Sequence, residues 1–323
     1  MVLVACWPMG GAYLDAWAHS HVARLETFFT PWHAVLYSGV LAITLFMAVS
    51  FATGWREHRS VRAALPPGYG LSFAGCLLFA IVGPSDLAWH TAFGIERGFA
   101  AVMSPTHVVG MIAMALIVSG PLRASWLRPG REIGLPALIS AGLLLSAISF
   151  FQAFDHPFVQ LLALSPGSPG NHEAVAGTLQ DSEQIGVLAI LVEAVIVAAY
   201  TLLLLRRFDL PWAGLGFVLG LNAALLSAIG DQYAMILVAV LTGLAAEGLA
   251  RVLLRGGSGA LEARLLSAAV PLVVFALYFA AVAMTGPIWW PVHVWAGAIG
   301  VAGIAGWLVS YAILPPVPMS TAG

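Results

Sequence analysis

The chain has 323 residues, of which 60% are hydrophobic and 9% charged, with a formal net charge of −2 and a mean hydropathy of +0.94. That composition excludes an ordinary water-soluble domain and points to a polytopic membrane protein. Every basic residue is arginine and none gathers into a patch or tail, so no nucleic-acid partner is expected. Cys6 and Cys76 form neither a CxxC pair nor a disulfide framework. The opening MVLVACWPMGG lacks the positive n-region of a secretory signal.

In chain order, residues 1–32 read as an extracytoplasmic N-terminal segment that carries a metal motif. Nine apolar blocks follow, at about 33–53, 70–85, 105–122, 134–154, 185–205, 212–229, 231–250, 266–285 and 290–313. Each approaches the ~20 residues that cross a ~30 Å hydrocarbon core. The expected fold is all-α: one membrane domain over 1–323, a helical bundle of about nine transmembrane helices. Residues 33–122 hold the metal-site helices and 123–323 the remaining ones, with a long outer loop at 155–184.

Arginine sets the expected orientation. Counting alternate loops, eleven arginines fall on one side and only Arg24 and Arg97 on the other. The positive-inside rule then puts the N-terminus outside and the C-terminus in the cytoplasm, as in the inner membrane of a bacterium. Histidine has the opposite bias: of the nine, only His58 joins the arginine side. The outer face is therefore rich in metal-ligand residue types.

Two constellations stand out there. In GPSDLAWH, Asp86 and His90 are spaced i, i+4 and share a helix face, and His107 opens the next block after Ser104-Pro105-Thr106, a helix-start signal. Antiparallel neighbours bring these three side chains together, a set that suits zinc, copper or non-haem iron. The pattern recurs upstream with Asp15, His19 and, after Thr30-Pro31-Trp32, His33. His21 and Glu26 are spare ligands in that copy, and His172 and His293 are further candidates. The competing reading is a set of interfacial hydrogen-bonding groups at span ends, and Trp17, Trp32, Trp89, Trp289 and Trp290 read as an aromatic belt.

The segment DLAWH followed by SPTHVVGM resembles the metal-binding segment of the C subunit of copper membrane monooxygenases, the particulate methane and ammonia monooxygenases. The resemblance covers roughly residues 10–115 and implies that Asp86, His90 and His107 are copper ligands. The same subunit has an Asn-x3-His-x13-His site, to which Asp15, His19 and His33 are similar, with Asp in place of Asn. Zinc and iron are the alternatives to copper.

Elsewhere, the 155–184 loop is long enough to act as a lid or binding loop. Glu193 lies inside an apolar block, where a carboxyl group is expected to be protonated or paired. Glu247 is close enough to Arg251 for local pairing, and Gly297 to Gly306 has the small-xxx-small spacing of helix packing. The leading expectation is an oxidoreductase that uses O₂ on a small apolar substrate. Copper or zinc uptake and a zinc-dependent hydrolase, with Glu26 as its base, are the alternatives. The lipid bilayer is the expected partner, with partner subunits or further copies of the chain possible.

Overall fold

The computed structural model describes residues 1–22, 27–96, 99–164, 179–253 and 259–314. The helices among them are α1 (Val2–His21), α2 (Pro31–His58), α3 (Gly70–Phe93), α4 (Phe99–Met103), α5 (Pro105–Val118) and α6 (Gly120–Trp126). They continue with α7 (Leu135–Ser149, prolonged by a 3-10 turn over Phe150–Gln152), α8 (Leu179–Arg207), α9 (Gly214–Ile229), α10 (Ala234–Leu253), α11 (Ala260–Thr285) and α12 (Val292–Ile313). No strand occurs among the described residues beyond an isolated bridge between Glu132 and Asp209.

Among the described helices, seven are long and apolar enough to cross a membrane: α2, α3, α7, α8, α10, α11 and α12. An eighth arises if α5 and α6, bent by 46° across Ser119, count as one span, while α9 is apolar but only 16 residues long. All nine expected blocks are therefore helices. The Thr-Pro start of α2 acts as the sequence suggests: Thr30 Oγ1 accepts the His33 backbone N–H at 3.1 Å, with Pro31 in the first turn.

The N-terminal segment differs from expectation. Residues 2–21 form a 20-residue helix whose Ala5, Met9, Ala12 and Tyr13 are buried in the main core. It runs antiparallel to α2, with a Cβ at Gly11 falling 2.6 Å from Leu36 Cα and one at Gly39 falling 2.6 Å from the Pro8 nitrogen. Met1 consequently packs against Gly120, at the far end of the bundle from Asp15. The N-terminus thus lies with the arginine-bearing end, not the histidine-bearing end expected for it. Glycines and Asp15 dilute the apolar signal of this segment, and packing against neighbouring helices makes up the difference.

The arginine end is tied together by carbonyl contacts. Arg123 donates to Ser119 Oγ, Gly68 O and Ser72 Oγ across the α5–α6 bend. Arg207 donates to the carbonyls of Trp126, Arg128 and Gly130, and Arg131 pairs with Asp209 at 2.8 Å. Glu247 does not pair locally. It is buried, and its carboxylate accepts the backbone N–H groups of Ala213 and Leu215, capping the start of α9. Glu247→Ala is expected to destabilise the protein by about 1–3 kcal/mol through the orphaned amides. A thermal melt in detergent reads this, and an unchanged melting temperature would show the cap to be dispensable.

Of the expected 155–184 outer loop, residues 165–178 lie outside the described residues, and residues 155–164 are largely buried. Ala153, His156, Phe158, Val159, Leu161 and Ala163 are all buried, so residues 153–164 fold into the bundle. Their backbone is satisfied by tight turns, such as His156 N–H to Gln152 O at 2.7 Å, and by Trp289 N–H to Ala163 O at 2.9 Å. Non-helical backbone is tolerated in a membrane bundle under this condition. Trp290, expected in an aromatic belt, is buried and donates to Leu162 O at 3.0 Å. In α12, Gly306 and Gly303 supply the close approach to α11, a Cβ at Gly306 falling 2.2 Å from Ser267 O.

Candidate metal centre

Two antiparallel helix pairs build the site. Asp15 and His19 lie one turn apart near the end of α1, and His33 is in the first turn of α2. Asp86 and His90 lie one turn apart near the end of α3, and His107 is in the first turn of α5. In each pair the ligand-type atoms lie within 4.8 Å of one another. The two triads are not separate. The His33 and His90 rings are 6.3 Å apart, His19 and His107 6.5 Å, and His90 and His107 5.4 Å. Asp15, His19, His33, Asp86 and His107 all line one cavity of about 330 Å³.

Hydrogen bonding fixes every ring. Nδ1 of His19, His33, His90 and His107 faces a backbone carbonyl: Glu96 at 3.2 Å, Phe28 at 2.6 Å, Gly94 at 3.2 Å and Ala101 at 2.5 Å. A carbonyl only accepts, so each Nδ1 carries a proton, and in the neutral ring each Nε2 presents a lone pair. Each Nε2 lies near a carboxylate oxygen. His19 and His33 Nε2 lie 3.6 and 3.4 Å from Asp15, and His90 and His107 Nε2 lie 3.5 and 3.3 Å from Asp86. His90 Nε2 is buried without a hydrogen-bond partner.

With neutral rings acceptors face acceptors, an arrangement a shared cation satisfies; a proton on Nε2 satisfies it instead as an imidazolium–carboxylate pair. Bonds of about 2.0–2.2 Å at tetrahedral angles set ligand atoms roughly 3.3–3.6 Å apart, the spacing seen here. Carbonyl-anchored imidazoles are also the usual outer support of a metal site. The residues therefore fit a metal ion in each triad. Three protein ligands per ion leave a coordination position open.

The carboxylate Asp86 is held on its other sides by Tyr37, whose hydroxyl donates at 2.9 Å, and by Thr106, whose hydroxyl donates at 2.8 Å. Neither was singled out from sequence, although Tyr37 follows His33 by four residues and so shares its helix face. Glu96 was also missed: its carbonyl holds His19, and its carboxylate accepts from Trp89 Nε1 at 2.5 Å. The cavity's other walls include Phe79, Val82, Met111, Met114 and Phe150, an apolar half opposite the ligands.

The supplementary candidates are dispersed. His21 lines the cavity but pairs with Asp231 at 3.0 Å and stacks on Trp17, outside both triads. His293 is exposed at the start of α12, away from the α1–α5 helices that carry the triads. Glu26 and His172 lie outside the described residues. Comparison with family models, curated proteins and solved structures gives no match.

Proposed function

We propose that the protein is a membrane oxidoreductase whose two triads hold copper and which oxidises a small apolar substrate with O₂. The observation that carries this reading is the pairing of four Nε2 atoms with two carboxylates at metal-ligand spacing, beside an apolar cavity. Imidazole-rich donor sets suit copper, and bound copper supplies the electron-transfer chemistry that O₂ activation requires. In this reading Asp86, His90 and His107 hold one ion and Asp15, His19 and His33 the other. Tyr37 and Thr106 keep the Asp86 carboxylate turned toward its ion by occupying its remaining lone pairs.

The cavity volume of about 330 Å³ matches a small substrate, and Phe79, Val82 and Met114 offer it an apolar surface. Monooxygenation of a C–H bond places one oxygen atom of O₂ in the product and releases the other as water. It draws two protons and two electrons from an external donor such as a quinol. The arginine asymmetry supports a bacterial inner membrane location with the cavity on the outer side.

The test is copper, zinc and iron analysis of the membrane-purified protein, followed by turnover assays with quinol, O₂ and a short-chain hydrocarbon. Two copper equivalents and O₂-dependent hydroxylation are expected. Zinc occupancy with hydrolytic activity in the absence of O₂ overturns the oxidoreductase reading, and tight copper binding without turnover replaces it with metal uptake.

A further inference from the structure

A second group of buried polar side chains, outside the two triads, is carried by α7, α8, α9 and residues 150–164. At its centre His156 Nε2 lies 3.3 Å from Glu193 Oε2, with side chains 0% and 3% exposed. Glu193 is at the middle of α8. One turn before His156, both amide atoms of Gln152 are buried without a hydrogen-bond partner. Asn222, which contacts Ser149 at 3.4 Å, has an unpartnered Oδ1, and His156 Nε2 and Glu193 Oε2 are unpartnered too. Buried orphans are scarce in folded proteins, and a concentration of them marks bound water or an ion.

Proton counting decides between those. His156 Nδ1 accepts the Phe158 backbone N–H at 3.0 Å, so the ring carries its proton on Nε2. This is the opposite tautomer to the four metal-centre histidines. It leaves Nε2 no lone pair for a metal and puts the N–H nitrogen 3.3 Å from Glu193 Oε2. An imidazolium would force an Nδ1 proton against the Phe158 N–H, so His156 is neutral. Tyr13 is also within electrostatic reach of Glu193, and its hydroxyl donates to Ser146 O at 2.8 Å. No positive charge therefore balances an ionised Glu193 among these neighbours, and an unbalanced carboxylate at mid-span costs several kcal/mol.

We propose that Glu193 and His156 form an internal proton-binding site: Glu193 holds an exchangeable proton beside His156 Nε2–H, and waters satisfy the unpartnered atoms of these two side chains, Gln152 and Asn222. The site backs onto the metal cavity. Phe150, Ala153, Phe154 and Val159, which flank Gln152 and His156 on the same stretch of chain, form part of the cavity wall. A proton stored there is one layer of side chains from the cavity in which O₂ chemistry is proposed, and water is its carrier between the two.

Infrared spectroscopy of the full-length protein, with and without carbon-13 glutamate labelling, tests this. The expected result is a protonated carboxylic-acid carbonyl band that shifts on glutamate labelling, shifts again in D₂O, and disappears in Glu193→Gln. The labelled wild type keeps the test independent of how well the variant folds. Glu247, the other buried glutamate among the described residues, accepts two amides and contributes no such band. Absence of a glutamate-derived band in the wild type overturns the proposal, as does a band that ignores D₂O or survives in Glu193→Gln. A Glu193→Gln protein that loses its bound metal also overturns it, since Glu193 then supports the metal centre instead. The spectrum needs no metal, so its outcome is separable from that of the copper assignment.

Discussion

Asp86→Ala is expected to halve the bound metal and to remove most of the stability that metal loading confers through the α3–α5 triad. Both His90 and His107 place Nε2 near the same Asp86 oxygen, so loss of the carboxylate leaves two imidazoles without the anion that completes the site. Saturating metal at about a thousand times its dissociation constant contributes roughly 4 kcal/mol per site. The rise in melting temperature between chelator-treated and metal-loaded protein should shrink accordingly. Truncation also orphans the Tyr37 and Thr106 hydroxyls, each costing about 1–3 kcal/mol where buried. Asp86→Asn reduces the second effect, because its one amide oxygen still accepts from one of the two hydroxyls, which bond different Asp86 oxygens, while coordinating metal poorly. If both variants retain the full metal content and the wild-type melting shift, the triad is not a metal site.

Gly39→Ala is expected to disable the other triad without touching a ligand. A Cβ at Gly39 falls 2.6 Å from the Pro8 nitrogen and 2.9 Å from Pro8 Cα, which are backbone atoms that cannot rotate away. Ordinary carbon contacts need about 3.5–4.0 Å, so α1 and α2 must separate by roughly 1 Å. That displacement separates Asp15 and His19 on α1 from His33 on α2. Overpacking of this kind costs about 1–3 kcal/mol. The expected outcome is a lower melting temperature and loss of one metal equivalent, with the Asp86 triad still loaded. Gly11→Ala, with its Cβ 2.6 Å from Leu36 Cα, should behave alike. Unchanged metal content in both variants would show that α1–α2 packing does not set the site.

Much of this molecule is legible in one dimension because two periodicities carry it. Long apolar runs between arginines mark candidate spans, since hydrocarbon tolerates little else: all nine blocks are helical, and seven contain a helix long and apolar enough to cross a membrane. The Asp-x3-His spacing puts two ligands on one face by helix geometry alone, and a Pro two residues before a histidine starts the helix that brings the third. Hence both triads assemble from the residues the sequence singles out.

What failed to show was whatever depends on which surfaces meet. Residues 2–21 lack a strong apolar signal of their own, and their burial comes from helices whose close approach Gly11 and Gly39 permit. Residues 155–164 read as the start of the 155–184 loop until turns satisfy their backbone inside the bundle. Sequence by itself determined a helical membrane chain with two Asp-His-His sets, because hydropathy and helical spacing are local properties. Tertiary structure alone decided that the two sets face one cavity, which nitrogen of each histidine is free, and that His156 reaches Glu193. Those facts depend on carbonyls and side chains from distant segments, such as Glu96 holding His19 across 77 residues of chain.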